Sequence, residues 1–358
     1  MTTQETWREA IDERIRRTLE ESSAVAATAG PALAEITAPM LDAARGGKRL
    51  RALLLLASHA AHGGDPQADA ALDVATALEL FQTAALLHDD VLDDSDTRRG
   101  RPSAHRRIAD LHRRTGWLGD AHAYGAAGGI LAGDLTLMAC QRALTRGVLL
   151  LDPQRSVLAA TMFADMTDLV TAGQYADMRA AAQPLEAIPA QREDILAVMR
   201  SKTASYTCEY PLALGAALAG ADAAAVSRMR DIGVDLGIAF QLRDDLLGLT
   251  GSPEVTGKPA GDDVREGKRT FVLWRAWAET DDEGRARIGA VLGDRDATDA
   301  EVAAAIAVVT ATDAEQWCER EIAERASRSR DALARSALDV ELAEDLNALI
   351  DRAVARSS

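Results

Sequence analysis

The run His88-Asp89-Asp90-Val91-Leu92-Asp93-Asp94 is followed within five residues by Arg98-Arg99-Gly100, which sets a carboxylate cluster beside two permanent cations. That combination suits a polyphosphate bridged by metal. Hard divalent cations take oxygen ligands, and Mg2+ is usually held by one or two carboxylates, with substrate phosphates and water completing its shell. A second acidic pair lies far downstream in Phe240-Gln241-Leu242-Arg243-Asp244-Asp245. Basic loops follow it too, in Thr256-Gly257-Lys258-Pro259 and Gly267-Lys268-Arg269-Thr270. One acidic run alone commonly means a solvated helix end. Two such runs, each trailed by cations, read as two halves of one site.

The elements that must position these residues are helices. Leu78, Leu80, Phe81, Ala84, Ala85, Leu86 and Leu87 recur at helical spacing, predicting one helix from Asp69 to about Asp94 with its carboxylates on the last turns. On it Asp89 and Asp93 share a face, and Asp90 lies about 100° around the axis. Carboxylates there oppose the helix dipole and repel one another, a cost that a bound cation would offset. Ile232, Val234, Leu236, Ile238, Ala239, Leu246 and Leu247 likewise place Asp244 and Asp245 on an apolar helix. Further helices are predicted at roughly 3–27, 31–44, 49–62, 121–147, 153–180, 191–219, 222–249, 268–292 and, in two or three pieces, 298–355. The Gly/His/Arg-rich stretch from Leu111 to Gly133 is expected to be a long ordered loop. No sustained period-two alternation calls for a sheet, and no Pro/Gly/Ser-rich linker divides the chain. An all-α single domain of roughly ten or more helices follows.

Composition narrows the function. The 358 residues are 47% hydrophobic but only 4% aromatic, which favours tightly packed Ala/Leu-rich helices. Forty basic against fifty-six acidic side chains give a net charge of −16, which opposes nonspecific binding to nucleic acid or to an anionic membrane. A diphosphate can then bind only where local cations and metal invert the field. The N-terminus is polar and acidic and no apolar run reaches the ~18 residues of a spanning helix, so a cytoplasmic protein without a transmembrane segment is expected. Cys140, Cys208 and Cys318 read as buried free thiols. His59, His62, His105, His112 and His122 lack metal-ligand spacing, and the scattered tryptophans read as packing residues.

Gly46-Gly47-Lys48-Arg49-Leu50-Arg51, the block from Asp89 to Pro102, Gly133-Asp134, Gly173-Gln174-Tyr175, Lys202-Thr203 and the block from Phe240 to Thr270 form one ordered series. That order resembles the trans-isoprenyl diphosphate synthases, the polyprenyl synthetase family, from about Gly30 to near Arg352. The resemblance implies the isoprenoid synthase fold, a helical bundle around a central cavity spanning 1–358, and a homodimer. It implies Mg2+, three ions per site, held by Asp89, Asp90, Asp93, Asp244 and Asp245. Lys48, Arg51, Gln82 and Arg99 would hold isopentenyl diphosphate, and Arg98, Lys202, Lys258 and Lys268 the allylic diphosphate. Ionisation of the allylic carbon–oxygen bond would be followed by attack of the isopentenyl double bond. Thr203 and Gln241, with carbonyls near a helix break at Lys202, would stabilise the cation, and released diphosphate would take the proton.

Two positions depart from the family pattern. The third aspartate of the second motif is replaced by Gly248, and an aspartate placed there is expected to be tolerated. Position 82 is Gln where many relatives carry His. Product length follows from the first acidic helix, since side chains lean toward the helix N-terminus and each turn rises ~5.4 Å, about one isoprene unit. The hydrocarbon tail should pass Ala85 and Ala84 and stop at Phe81, which favours geranylgeranyl diphosphate, with a longer polyprenyl product as the alternative. A class I terpene cyclase is disfavoured, because Gly248 stands where its second motif needs Ser or Thr. A non-catalytic synthase subunit is disfavoured by retention of the first acidic motif and its arginines.

Overall fold

The computed structural model describes residues 3–251, 261–336, 338 and 340–354. Its chain divides into two compact units, Met1–Thr161 with Leu214–Ala221, and Met162–Ala213 with Asp222–Ser358. Both are helical, as the periodicity predicts. The exception among the described residues is a hairpin of two-residue strands, Thr97–Arg98 and Arg101–Pro102, paired antiparallel.

The first unit contains α1 (Thr3–Ala27), α2 (Ala34–Ala44), α3 (Leu50–Ala61), α4 (Asp69–Leu92), α5 (Ala104–Thr115), α6 (Ala121–Leu149) and the start of α7 (Pro153–Ala181). The core of this unit is α4, with Val74, Ala75, Ala77, Leu78, Leu80 and Ala84 fully enclosed. Buried Glu79 accepts a bond from the Ala52 backbone N–H at 3.1 Å. This satisfies one of the open donors in the first turn of α3 and ties that helix to α4.

The expected loop from Leu111 to Gly133 is instead the end of α5, a five-residue connection and the start of α6. Gly116 ends α5 at φ +69°, and the Asp120 side chain caps α6 by accepting from the His122 and Ala123 N–H groups. The glycines that suggested a loop serve helix packing. A Cβ at Gly125, Gly128 or Gly129 would come within 2.5–2.8 Å of α5 or of Val91. Glycines three and four apart share a face, so they let whole helices approach closely. A second expectation also changes, because α4 and α6 are long and apolar enough to cross a membrane. The apolar window of α4 is 78% buried inside the protein, whereas that of α6 is 44% buried.

The second unit holds the rest of α7, then α8 (Arg192–Val198), a π-helical stretch Met199–Glu209, and the start of α9 (Tyr210–Leu218). After these come α10 (Ala223–Thr250), α11 (Asp262–Arg265), α12 (Phe271–Glu279), α13 (Asp282–Val291), α14 (Asp299–Thr310), α15 (Ala314–Ala334) and α16 (Val340–Val354). The single helix predicted over 191–219 is therefore interrupted by a wider turn at Lys202, where the helix break was expected. The helix predicted over 268–292 is two, capped by Thr270 and Asp281. Gly233 and Gly237 bring α10 against the π stretch, since a Cβ on them would lie 2.4 Å from Glu209 Cα and 2.5 Å from Ala204 Cα. All three cysteines are buried free thiols, as expected.

Candidate active site

At the C-terminal end of α4, Asp89 and Asp93 are half-buried while Asp90 is 3% exposed. Asp90 Oδ1 accepts from Arg98 Nε at 2.8 Å and Nη2 at 2.5 Å, and the same Nη2 lies 3.7 Å from Asp89. Burial opposes the Arg98 charge, but the Asp90, Asp89 and Asp93 carboxylates outweigh it and raise its pKa. The hairpin that delivers Arg98 turns through Arg99 (φ +54°) and Gly100 (φ +72°). Positive φ at both central residues is what a two-residue turn needs. The described non-glycine residues with φ in the left-handed region are Arg49, Asp94 and Arg99, all beside this acidic end or its basic turn. Such strain concentrates at functional sites.

The Gly46-Gly47 turn reaches the hairpin. A Cβ on Gly47 would lie 3.3 Å from Arg99 Nη2, and Arg99 Nη1 donates to the Arg45 carbonyl at 2.7 Å. Enclosure by protein atoms, then the Arg49 and Arg98 charges, lower the Arg99 pKa. Cations that destabilise one another mark a place suited to an anion. Lys48 is exposed and Arg51 buried, and Arg49 is structural, donating to Asp12 and to the Ala44 carbonyl, each at 2.7 Å. Half-buried Gln82, Ala85, Leu86 and Asp89 fall on one stripe of α4. Ala84 is wholly enclosed and Phe81 is 7% exposed. Gly133 is needed because a Cβ there would sit 2.3 Å from the His88 ring, whose Nε2 lies 3.3 Å from Asp134. Sequence reasoning missed the support of Asp94, which is paired with Arg106 at 2.9 Å and lies 3.0 Å from His122 Nε2.

The second acidic stretch has the same internal division. Asp244 is half-buried, whereas Asp245 is buried and accepts from Gln241 Nε2 at 2.6 Å. Burial pushes the Asp245 carboxyl up to about 8; the Gln241 bond opposes this, and the Asp263, Asp244 and Asp177 charges reinforce it. Lys202 Nζ donates to Asp177 Oδ2 at 2.5 Å. That pair exists because α7 crosses the π stretch at Gly173, where a Cβ would lie 2.5 Å from the Lys202 nitrogen. Asp177, one turn after Gly173 on the same face, was the signal the sequence offered and reasoning passed over. Thr203 is half-buried beside Lys202. Lys268 Nζ meets Asp263 at 3.2 Å and Glu266 at 2.5 Å. Lys258 lies outside the described residues.

Every candidate ligand is a carboxylate oxygen, which fits Mg2+. Among the described residues no three His, Cys, Asp or Glu side chains converge tightly enough to chelate an ion by themselves. The five expected carboxylates differ in setting: Asp90 and Asp245 are buried and accept from Arg98 and Gln241, whereas Asp89, Asp93 and Asp244 are half-buried.

Known proteins resolve what this arrangement belongs to. The sequence model of the polyprenyl synthetase family matches residues 33–309. The chain belongs to the polyprenyl synthetase family. It is thus a trans-isoprenyl diphosphate synthase, a prenyltransferase. It is 32% identical to a geranylgeranyl diphosphate synthase of Sulfolobus acidocaldarius over 257 residues, 72% of this chain and 71% of that protein. It is 31% identical to a geranylfarnesyl diphosphate synthase of Aeropyrum pernix over 313 residues, covering 87% and 91%. A crystal structure of geranylgeranyl pyrophosphate synthase from Corynebacterium glutamicum, complexed with isoprenyl diphosphate and magnesium, superposes with a TM-score of 0.91. The identity is 32%, with 99% of this chain and 100% of that one covered.

Proposed function

We propose that this synthase condenses isopentenyl diphosphate with an allylic diphosphate in a Mg2+-dependent reaction and releases geranylgeranyl diphosphate. The observation that carries this is the acidic end of α4, where half-buried Asp89 and Asp93 lie in the same cluster as an Arg98 guanidinium paired with Asp90 and Asp89. Mg2+, three ions per site, would neutralise the diphosphate leaving group so that the allylic carbon–oxygen bond ionises. Half-buried Asp89, Asp93 and Asp244 would hold it, together with Asp90 and Asp245, which are buried and bonded to Arg98 and Gln241.

Arg98, Lys202, Lys268 and Lys258 bind the allylic diphosphate. Their carboxylate partners in the described structure, Asp90, Asp177 and Asp263, keep the cations positioned until phosphate arrives. Lys48, Arg51, Gln82 and Arg99 bind isopentenyl diphosphate, supported by the mutual crowding of Arg99, Arg49 and Arg98. Thr203 and Gln241 stabilise the developing cation, and the released diphosphate removes the proton, so no side-chain base is required.

Ala85 and Phe81 line the tail, and a larger side chain at fully enclosed Ala84 would press into its path. Relatives named for both geranylgeranyl and geranylfarnesyl products match the chain comparably, so product length rests on these side chains. The chain acts as one catalytic domain and as a homodimer. Tyr124, Leu131 and Met138 recur at seven-residue intervals on α6 and are 42%, 51% and 62% exposed, a stripe suited to the same stripe of a second copy. Three buried free thiols agree with a reducing cytoplasmic setting.

The test is a product assay with purified chain, labelled isopentenyl diphosphate and each of three allylic primers, resolved after dephosphorylation. A twenty-carbon alcohol is expected. A cyclic hydrocarbon, or no turnover by the chain alone, would overturn the proposal.

A further inference from the structure

The C-terminal end of α7 leaves backbone carbonyls without helical partners, as helix ends do. A side chain from far along the chain takes them. Arg269 donates through Nε to the Ala180 carbonyl and through Nη2 to the Ala181 carbonyl, each at 3.4 Å, and Nη2 also donates to the Gln183 carbonyl at 2.9 Å. Buried Gln191 donates to the same Ala180 carbonyl at 3.0 Å and to the Gln183 side chain at 2.9 Å. Arg269 is itself only 7% exposed, and among the described residues no carboxylate pairs with it, so burial lowers its pKa unopposed. An enclosed cation is costly unless something compensates it, and here the negative end of the α7 dipole does so.

The neighbours of this contact give it a further consequence. Lys268 directly precedes Arg269, and its Nζ meets Asp263 and Glu266. Asp177 lies one turn before Ala181 on α7 and accepts from Lys202 Nζ at 2.5 Å. One guanidinium therefore ties the backbone that carries Lys268 to the helix end whose Asp177 holds Lys202. We propose that Arg269 is a positioning residue for the allylic diphosphate, fixing the spacing of Lys268 and Lys202 by capping α7. This rests on the diphosphate-binding role proposed above for those two lysines. Arginine suits the task because its rigid fork bonds three carbonyls at once, which a single ammonium on a flexible stem holds less firmly. Without it the Lys268 segment is released from α7 and the two cations lose their fixed separation.

The experiment is a double-mutant cycle on the full-length protein, with binding measured by calorimetry in Mg2+ for two probes, geranyl thiodiphosphate, which ionises poorly, and isopentenyl diphosphate. Arg269→Met should weaken thiodiphosphate binding by ~10-fold, within the range for groups coupled in one network, and leave isopentenyl diphosphate binding unchanged. In a Lys268→Ala background the same substitution should have little further effect, because Arg269 acts through Lys268. Arg269→Lys should restore part of the lost affinity. An equal loss for both probes, a loss that persists undiminished in the Lys268→Ala background, or a lowered Tm with wild-type affinities would overturn the proposal and leave Arg269 as a cap that serves stability alone. If Arg269→Met does not fold, Arg269→Lys carries the same cycle, and undiminished thiodiphosphate affinity in that variant counts against the proposal. Wild-type thiodiphosphate binding by both Lys268→Ala and Lys202→Ala would instead refute the diphosphate-binding role of the lysines themselves.

Discussion

Gly237→Ala should slow chemistry from a position that touches no substrate. Its new Cβ would lie 2.5 Å from Ala204 Cα and 2.6 Å from Ala204 Cβ, where ordinary contacts begin at 3.4 Å. Backbone is on the other side, so rotating a side chain cannot relieve the overlap. The π stretch must move from α10 by about 1 Å, a displacement that can cost ~10²-fold in rate when it shifts catalytic groups. Lys202 and Thr203 immediately precede Ala204 and would move with it. Overpacking of this kind costs about 1–3 kcal/mol, which for a chain this long lowers Tm by a few degrees. The assay pairs thermal unfolding by circular dichroism with kcat and KM at saturating Mg2+. A lower Tm together with a kcat reduced by ~10-fold or more is expected. Wild-type kcat in a variant that melts early would show that the seating of Lys202 and Thr203 against α10 has no part in turnover.

Asp89→Ala and Asp244→Ala should each lower turnover by ~10²–10³-fold with an unchanged circular dichroism spectrum, and near wild-type rates at saturating Mg2+ would refute the corresponding acidic end as a metal site. Asp245 titrates at about 8 in the folded, metal-free protein, above its unfolded value of 3.8, so its neutral form stabilises the fold at low pH and that contribution is lost as pH rises toward 8. Asp245→Asn should therefore stabilise the metal-free protein relative to wild type by an amount that grows from pH 5 to 8 and then levels off; denaturant unfolding in EDTA that shows no such trend would count against the shift. Ala84→Phe should shorten the product and Phe81→Ala lengthen it, by excluded volume. Because Ala84 is fully enclosed, the larger ring should also lower Tm, and an unchanged product distribution in both would place the tail along another helix. Met138→Asp should convert a dimer to a monomer in light scattering, and a persistent dimer would locate the contact elsewhere.

Much of this protein is legible from local pattern. The boundaries of α4 and α10 and the acidic ends they carry follow from residues within one or two helical turns of each other, because helical periodicity is itself local; the interruption at Lys202 was expected from the family resemblance alone. The order of the short motifs was enough to identify the family. What each residue faces was decided elsewhere in the chain. Asp89 and Asp90 are neighbours of the same type, yet Asp90 is buried against Arg98 because a hairpin beyond the helix returns that side chain to it. The glycines from 125 to 133 spell a loop by composition and form a helix because α5 and the end of α4 supply surfaces that only a small residue can approach. Gly248 reads as a place open to an aspartate, and tertiary packing fills it instead, since a Cβ there would lie 2.1 Å from Asp263 Oδ2. Spacing along the chain determines which side chains share a helix face; which atoms then meet that face depends on backbone contacts between segments that local sequence does not encode.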